Sequence, residues 1–138
     1  MKYLTCIVVT PEATALEEEA KFVALPLYDG EIGIAPAHSP LIGRLGYGEM
    51  RLTNPHGKTH RYYLDGGFVQ VLDDVVSVLT GKAIPAHDLD AGEAQAQLDA
   101  ARTLPASTPE LLAIRDRTVA QARAQLHVAT RTGTASTH

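Results

Sequence analysis

The feature that most constrains this 138-residue chain is a change of character around Ala83-Ile84-Pro85-Ala86-His87. Before it, short apolar runs are separated by glycine- and proline-rich punctuation, the pattern of successive short strands. After it, from Asp88 onward, Ala, Gln, Leu and Arg dominate and β-branched residues almost vanish until Ile114, which is helix composition. Such a chain is expected to be α+β, strands first. An antiparallel β-sandwich, or flattened barrel, would occupy residues 1–86, and an α-helical hairpin with a polar tail residues 87–138.

Within the first region, residues 3–9, 21–25, 48–53, 58–64, 68–72 and 75–80 read as strands. Residues 48–53 alternate polar and apolar, as a half-buried strand does. Pro26 is expected to end the second of these strands, and Glu17-Glu18-Glu19 to be a solvated edge or turn. Asn54-Pro55-His56-Gly57 reads as a hairpin, Asp65-Gly66-Gly67 as a further turn, and Asp73-Asp74 as a two-residue connection. Residues 68–79 are apolar on both faces, which predicts strands lying where two sheets pack together.

The densest punctuation lies between Leu25 and Leu45. Asp29-Gly30 is a turn signal, because glycine takes positive φ without a Cβ clash and aspartate bonds its own turn. Pro40 keeps Ser39 extended, so His38 should sit in a stiff, non-helical corner. On local grounds alone these residues are sheet corners, or corners that also meet a partner.

In the second region, Asp90 followed by Glu93 resembles a capping box at a helix start. Leu89, Ala94, Leu98 and Ala101 form one apolar stripe, and Gly92 weakens that helix by about 1 kcal/mol relative to alanine. Leu104-Pro105-Ala106-Ser107 ends it. Thr108-Pro109-Glu110 starts the next, with a capping residue, a first-position proline and an acid in the first turn. Leu112, Val119 and Leu126, flanked by Ala122 and Ala129, give this helix a narrow apolar face. Residues 130–138 are small and polar and should fray. Both stripes are alanine-rich and bury little area, so weak docking and two arrangements, packed and extended, are expected. The alternative is a permanently docked pair.

Several function classes lack support. Twelve Lys+Arg against sixteen Asp+Glu give a formal charge of −4, the wrong sign for a nucleic-acid binder. No Trp and two Phe leave no base-stacking surface. Nucleotide-binding glycine loops, the nucleophile elbow and the zinc-helix motif are missing, and Gly43-x-x-Gly46-x-Gly48 leads into a strand rather than a helix. The six histidines are scattered and no cysteine cluster accompanies them, so no metal site is expected. The acid pairs Asp73-Asp74 and Asp88/Asp90 belong to a turn and a helix start. No nucleophile stands with a base, so no catalytic residue is assigned. Cys6, in an apolar strand, reads as a buried small hydrophobe. Without a leader or an apolar run long enough to span a bilayer, a soluble intracellular chain is expected. Arg115, Arg117 and Arg123 on the second helix form a solvated face or one aimed at carboxylates of a partner.

Asp29-Gly30-Glu31-x-Gly33-x-x-Pro36-x-His38-x-Pro40-Leu41, then Leu45-x-x-Gly48, Asp65-Gly66-Gly67-Phe68-Val69-Gln70-Val71 and Asp88-Leu89-Asp90 occur in order. This ordered set resembles the epsilon-subunit family of F-type ATP synthase over roughly residues 3–128. The resemblance implies a β-sandwich and a helical hairpin in a non-catalytic subunit of the central rotor stalk. Its sandwich would bind the gamma subunit on one side and the polar loops of the c-ring on another. By motif match Glu31 and His38 are the ring-contact positions. In many bacterial members the hairpin extends into the alpha/beta catalytic head and restrains ATP hydrolysis, and Arg115, Arg117 and Arg123 would then face acidic beta-subunit residues. Residence at the cytoplasmic face of the inner membrane, through the complex alone, and coupling of ion flow to ATP synthesis are implied as well.

One departure concerns ATP. Some members bind it through Ile/Leu-Asp-x-x-Arg-Ala at the first helix. Here the stretch is Leu89-Asp90-Ala91-Gly92-Glu93-Ala94, with Glu93 in place of the arginine. Asp90 keeps the motif's acid, but a negative charge stands where phosphates want a positive one, so no cofactor is expected. Two readings of other classes are a small cupin-like metalloenzyme using the scattered histidines, and a free-standing adaptor binding peptides by strand addition.

Overall fold

A computed structural model describes residues 2–135, with side chains described through Arg131. Eight strands precede the helices: Leu4–Val9 (β1), Thr14–Ala20 (β2), Phe22–Leu27 (β3), Gly30–Ile34 (β4), Leu41–Thr53 (β5), Thr59–Leu72 (β6), Val75–Leu79 (β7) and Ala83–Pro85 (β8). They pair in the order β2-β1-β7-β6-β5-β3-β4, with β8 beside β6. Every described pairing is antiparallel except β1 with β7. The two long strands make this order a sandwich. The first half of β5 and the second half of β6 join β7, β1 and β2, while their other halves join β3, β4 and β8. Between the layers lie Leu4, Cys6, Val8, Val23, Leu25, Met50, Leu52, Val69, Val71, Val76 and Val78, all at most 1% exposed.

Three local expectations are corrected. Asp65-Gly66-Gly67 is not a turn between strands but a bend inside β6, with φ +74° at Gly66 and +108° at Gly67. β7 and β8 pair with β6 in one register, interrupted at Thr80-Gly81-Lys82 opposite the bend. A Cβ on Gly67 would lie 1.8 Å from the Leu79 carbonyl oxygen, so only glycine lets the strands approach this closely. Side chains supplement the interrupted ladder: the Asp65 N–H is shared between the Lys82 carbonyl (3.2 Å) and Thr80 Oγ1 (3.0 Å), and Tyr63 Oη donates to Asp65 Oδ1 (2.6 Å). Second, Pro26 does not end β3, which runs on to Leu27. Pairing with β4 stays regular through it, and the missing N–H appears as a register shift against β5 between Ala24 and Leu27. Third, β5 begins at Leu41, seven residues before the expected strand, and carries all three glycines of Gly43-x-x-Gly46-x-Gly48.

Other local readings hold. Asn54 Oδ1 accepts from the N–H of His56 and Lys58 in the β5–β6 hairpin. Asp73 and Asp74, at φ +50° and +63°, form the two-residue β6–β7 turn with the left-handed backbone that suits a hairpin. The glutamate run lies on β2, an outermost strand, where charge discourages pairing with another chain.

The described residues divide into two compact units between Pro85 and Ala86. In the second, a 3₁₀ turn at Ala86–Asp88 precedes Ala91–Arg102 (α1) and Pro109–Ala135 (α2). Asp90 caps α1, accepting at Oδ1 from the Glu93 N–H (3.0 Å), and Thr108 Oγ1 caps α2 by accepting from Leu111 N–H (3.1 Å). The buried residues are mostly small: Ala94, Leu98 and Ala101 on α1, and Ala122, Val128 and Ala129 on α2. Leu112, expected on the stripe, is 40% exposed. A seven-residue repeat on a straight helix drifts about 20° per heptad, which turns Leu112 away from Leu126 by about 40°. Beyond Thr130 the backbone of α2 continues to Ala135, and Thr130 Oγ1 donates back to the Leu126 carbonyl (2.8 Å). The remainder of the expected tail, residues 136–138, lies outside the described residues.

Gly67→Ala should lower stability by about 3 kcal/mol, because strain and backbone collision coincide there. Gly57→Ala, also at positive φ (+87°) but with only the end of Lys21 within 4 Å of the added carbon, should cost about 1 kcal/mol. Urea unfolding midpoints of the two variants check this ordering.

Candidate functional site

The β4–β5 connection, residues 35–40, is the corner that the sequence singled out. Ala37 sits at φ +66°, and its N–H donates to Asp74 Oδ1 at 2.7 Å. The half-buried His38 has its Nδ1 2.7 Å from the Ser39 carbonyl oxygen, which can only accept, so Nδ1 carries the proton. Glu31 lies near the opposite end of β4. An extended strand rises about 3.3 Å per residue, so Glu31 is roughly 10 Å from the end of β4 that leads to His38. The two candidate ring-contact residues therefore do not share one side-chain cluster.

Glu31 has a partner of its own. Arg51 on β5 reaches it with both terminal nitrogens, Nη2 to Oε1 at 2.7 Å and Nη1 to Oε2 at 3.1 Å, and also donates to Glu49 Oε1 at 3.3 Å. The Glu31 hydrogen bonds hold the guanidinium above its ordinary range; partial burial opposes them and Glu49 adds to them. Because Ala24 faces Gly33 on one side and Arg51 on the other, this ion pair straddles β3 and fixes the Glu31 carboxylate in place.

A third surface differs from the sequence expectation. Residues 68–79 are apolar on both faces, but only one face is interior. Val69, Val71, Val76 and Val78 are buried, while Phe68, Leu72 and Leu79 are 60%, 45% and 54% exposed. The register places Val9 opposite Leu79, Leu79 opposite Phe68 and Phe68 opposite Arg44, a row across four strands. Arg44 continues the row by stacking 4.4 Å from the centre of the exposed Tyr28 ring. Ile42, 77% exposed, stands one row away opposite Gln70. An open depression of about 280 Å³ lined by Gln70, Leu72, Asp73, Val75 and Ser77 lies on the same face. A contiguous exposed patch of this kind marks a contact surface. The sequence signal was present: period-two apolarity on both faces of a strand belonging to a sheet with one interior.

The helical candidates are dispersed. At 3.6 residues per turn Arg117 points about 160° away from Arg115, and Arg123 about 80° away. Arg115 is half-buried with Asp116 Oδ1 at 3.8 Å, and Arg117 and Arg123 are exposed. They ring the helix rather than forming one face. Asp90 is occupied as the α1 cap, and Glu93 adds a negative charge in the same turn. That donor set suits a helix start and does not suit the phosphates of ATP. Among the described residues no group of three or more His, Cys, Asp or Glu is placed to hold a metal ion.

A family model described as the ATP synthase delta/epsilon chain, beta-sandwich domain, matches residues 3–86. The ATP synthase epsilon chain of Rhodopirellula baltica is 54% identical over 123 residues, covering 89% of this chain and 95% of that one. The chain belongs to the ATP synthase epsilon-chain family. An epsilon chain of Desulfitobacterium hafniense is 45% identical over 92 residues, 67% of this chain and 69% of that one. The fold recurs in a chain of the Euglena gracilis mitochondrial ATP synthase solved with OSCP, F1 and c-ring (TM-score 0.73, 24% identity, 99% of this chain and 82% of that one). It recurs too in the Tetrahymena thermophila central stalk and c-ring structure (TM-score 0.70, 12% identity, 93% and 97%). As a member of the epsilon-chain family, this is a non-catalytic central-stalk component of a membrane-associated ATP synthase. No described helix is long and apolar enough to cross a membrane. Neither the cupin-like nor the adaptor reading gains support from these relatives.

Cys6 belongs to the core and not to any of these surfaces. Burial, with Glu18 opposite it adding to the effect, pushes the thiol from 9.0 to about 12. Its folded value lies above the unfolded one, so this contribution to stability is whole below pH 9.0 and is lost as pH rises toward about 12. The wild-type unfolding midpoint should therefore fall more steeply over that alkaline window than the midpoint of Cys6→Ala. Thiol reagents at neutral pH should modify Cys6 only after unfolding.

Proposed function

We propose that the epsilon chain couples rotation of the c-ring to the catalytic head through two surfaces of its sandwich. The outer face bearing Ile42, Phe68, Leu72 and Leu79 docks on the gamma subunit, and the corner containing His38, together with Glu31, meets the polar loops of the c-ring. The exposed apolar face carries this reading, because a large apolar patch on one outer layer is costly until a partner covers it. Tyr28 and Arg44, stacked beside this face, are residue types enriched among those that dominate binding energy at interfaces. The β-sandwich, residues 1–86, is then the rotor-binding part. Residues 87–138 form the regulatory part, in which Arg115, Arg117 and Arg123 meet acidic beta-subunit residues and restrain ATP hydrolysis. Arginines distributed around α2 fit a helix surrounded by partner surface better than one lying on a single flat face. With Glu93 in place of an arginine, this hairpin does not sense ATP. The chain works at the cytoplasmic face of the inner membrane, held there by the complex.

Phe68→Ser should leave the urea midpoint nearly unchanged, since surface substitutions typically cost less than about 0.5 kcal/mol. It should lower recovery of gamma and the ring with the tagged epsilon chain from native membranes by about tenfold, the effect of about 1.4 kcal/mol at an interface. Undiminished recovery defeats the docking assignment. Replacing Arg115, Arg117 and Arg123 together by Gln should raise ATP hydrolysis of the assembled enzyme severalfold; unchanged hydrolysis removes the regulatory role.

A further inference from the structure

One contact joins the two proposed rotor surfaces directly. Asp74 follows Asp73 in the β6–β7 turn, flanked by Leu72 and Val75 at the end of the outer apolar face. Its carboxylate turns to the other connection and accepts the Ala37 N–H at 2.7 Å. Asp74, at φ +63°, takes the left-handed backbone that aspartate tolerates in such a turn, whereas Ala37 holds φ +66°, a conformation that disfavours a residue with a Cβ unless something holds it. A carboxylate accepting from a backbone N–H at this distance is one of the stronger hydrogen bonds a protein makes.

From this geometry we infer that Asp74 is the positioning residue of the ring-contact corner, pinning it to the sheet that carries the gamma-facing surface. Pro36 and Pro40 stiffen the two ends of the connection by fixing their own φ angles. Pro40 also holds Ser39 extended, so the backbone keeps its freedom at Ala37 and His38, and the Asp74 bond is placed at the first of these two. His38 is next to the pinned amide, and its ring is in turn held by the Ser39 carbonyl. Torque arriving at the outer face thus reaches the corner through a short rigid path, β6 to the Asp73-Asp74 turn to Ala37, with no hinge between. The inference rests on the proposed assignment of the corner to the ring.

The test compares Asp74→Gly with Asp74→Asn in the full chain and in the assembled synthase. Glycine accepts the left-handed turn conformation but removes the acceptor; asparagine tolerates that conformation and keeps an acceptor oxygen. In the full chain, Asp74→Gly should speed hydrogen exchange of the Ala37 amide at least tenfold, while Asp74→Asn keeps most of the protection. In the assembled enzyme, Asp74→Gly should lower proton pumping per ATP hydrolysed, and Asp74→Asn should restore it. Unchanged Ala37 exchange in Asp74→Gly overturns the inference, as does faster exchange with unimpaired pumping. Cross-linking through His38→Cys in an otherwise wild-type enzyme separates the two levels. Failure to capture a ring subunit defeats the ring assignment itself, whereas capture combined with either overturning result defeats only the role of Asp74.

Discussion

Strands β6 and β7 carry apolar side chains on both faces, yet the sandwich they belong to has a single interior. Val69, Val71, Val76 and Val78 fill that interior; Phe68, Leu72 and Leu79 are left in water. Apolar surface is worth about 25 cal/mol per Å² when removed from water, so the second face represents stabilisation that folding alone does not collect. A chain organised this way is completed by a neighbour. The epsilon-chain relationship places the chain in an ATP synthase, an assembly that supplies neighbours.

The rest of the sandwich can be understood as what keeps this face flat and its edges stiff. β5 and β6 are long enough, at about 3.3 Å per residue, to run through both layers, and each must bend to do so. The bend in β6 depends on Gly67, which passes against the Leu79 carbonyl where no side chain fits, and on Tyr63, Asp65 and Thr80, whose polar groups supplement the Asp65–Lys82 backbone bond beside it. Arg51 clamps Glu31 across β3, and Asp74 clamps Ala37 across the gap between two connections. The helical unit is built differently, from capped helices whose buried residues are mostly alanine. Large aliphatic side chains in the core suit a part that transmits force. A small-residue helix pair, held by little buried area, suits a part that rearranges.

Much of this was legible where structure is decided locally. Asp73-Asp74, Asn54-Pro55-His56-Gly57 and the Asp90 and Thr108 caps all act through their own backbone, and each appeared where the residues indicated. Asp65-Gly66-Gly67 did not, because positive φ serves a turn and a bend equally well. Only the shared register of β7 and β8 along β6 distinguishes the two. Pro26 was misread for a similar reason: it forbids one hydrogen bond, and β3 offers that side of its backbone to a place where β5 slips register. The site was less legible than the fold. Glu31 and His38 are close in sequence but face different neighbours, and Asp74, 37 residues from Ala37, gave no sign of holding the corner. The arginines of α2 looked like a face until helical periodicity spread them around the axis. The outer apolar row was written in the sequence as double-sided apolarity, but that pattern also describes a strand buried between two sheets.

Side-chain hydroxyl-radical footprinting of the free epsilon chain and of the chain within the intact synthase tests the completed-by-a-neighbour claim most directly. Phe68, Leu72, Leu79 and Tyr28 should label readily in the free chain and lose most of that labelling on assembly, while core valines stay unlabelled in both. Persistent labelling of this row in the intact enzyme, with protection appearing on another face of the sandwich, would contradict it.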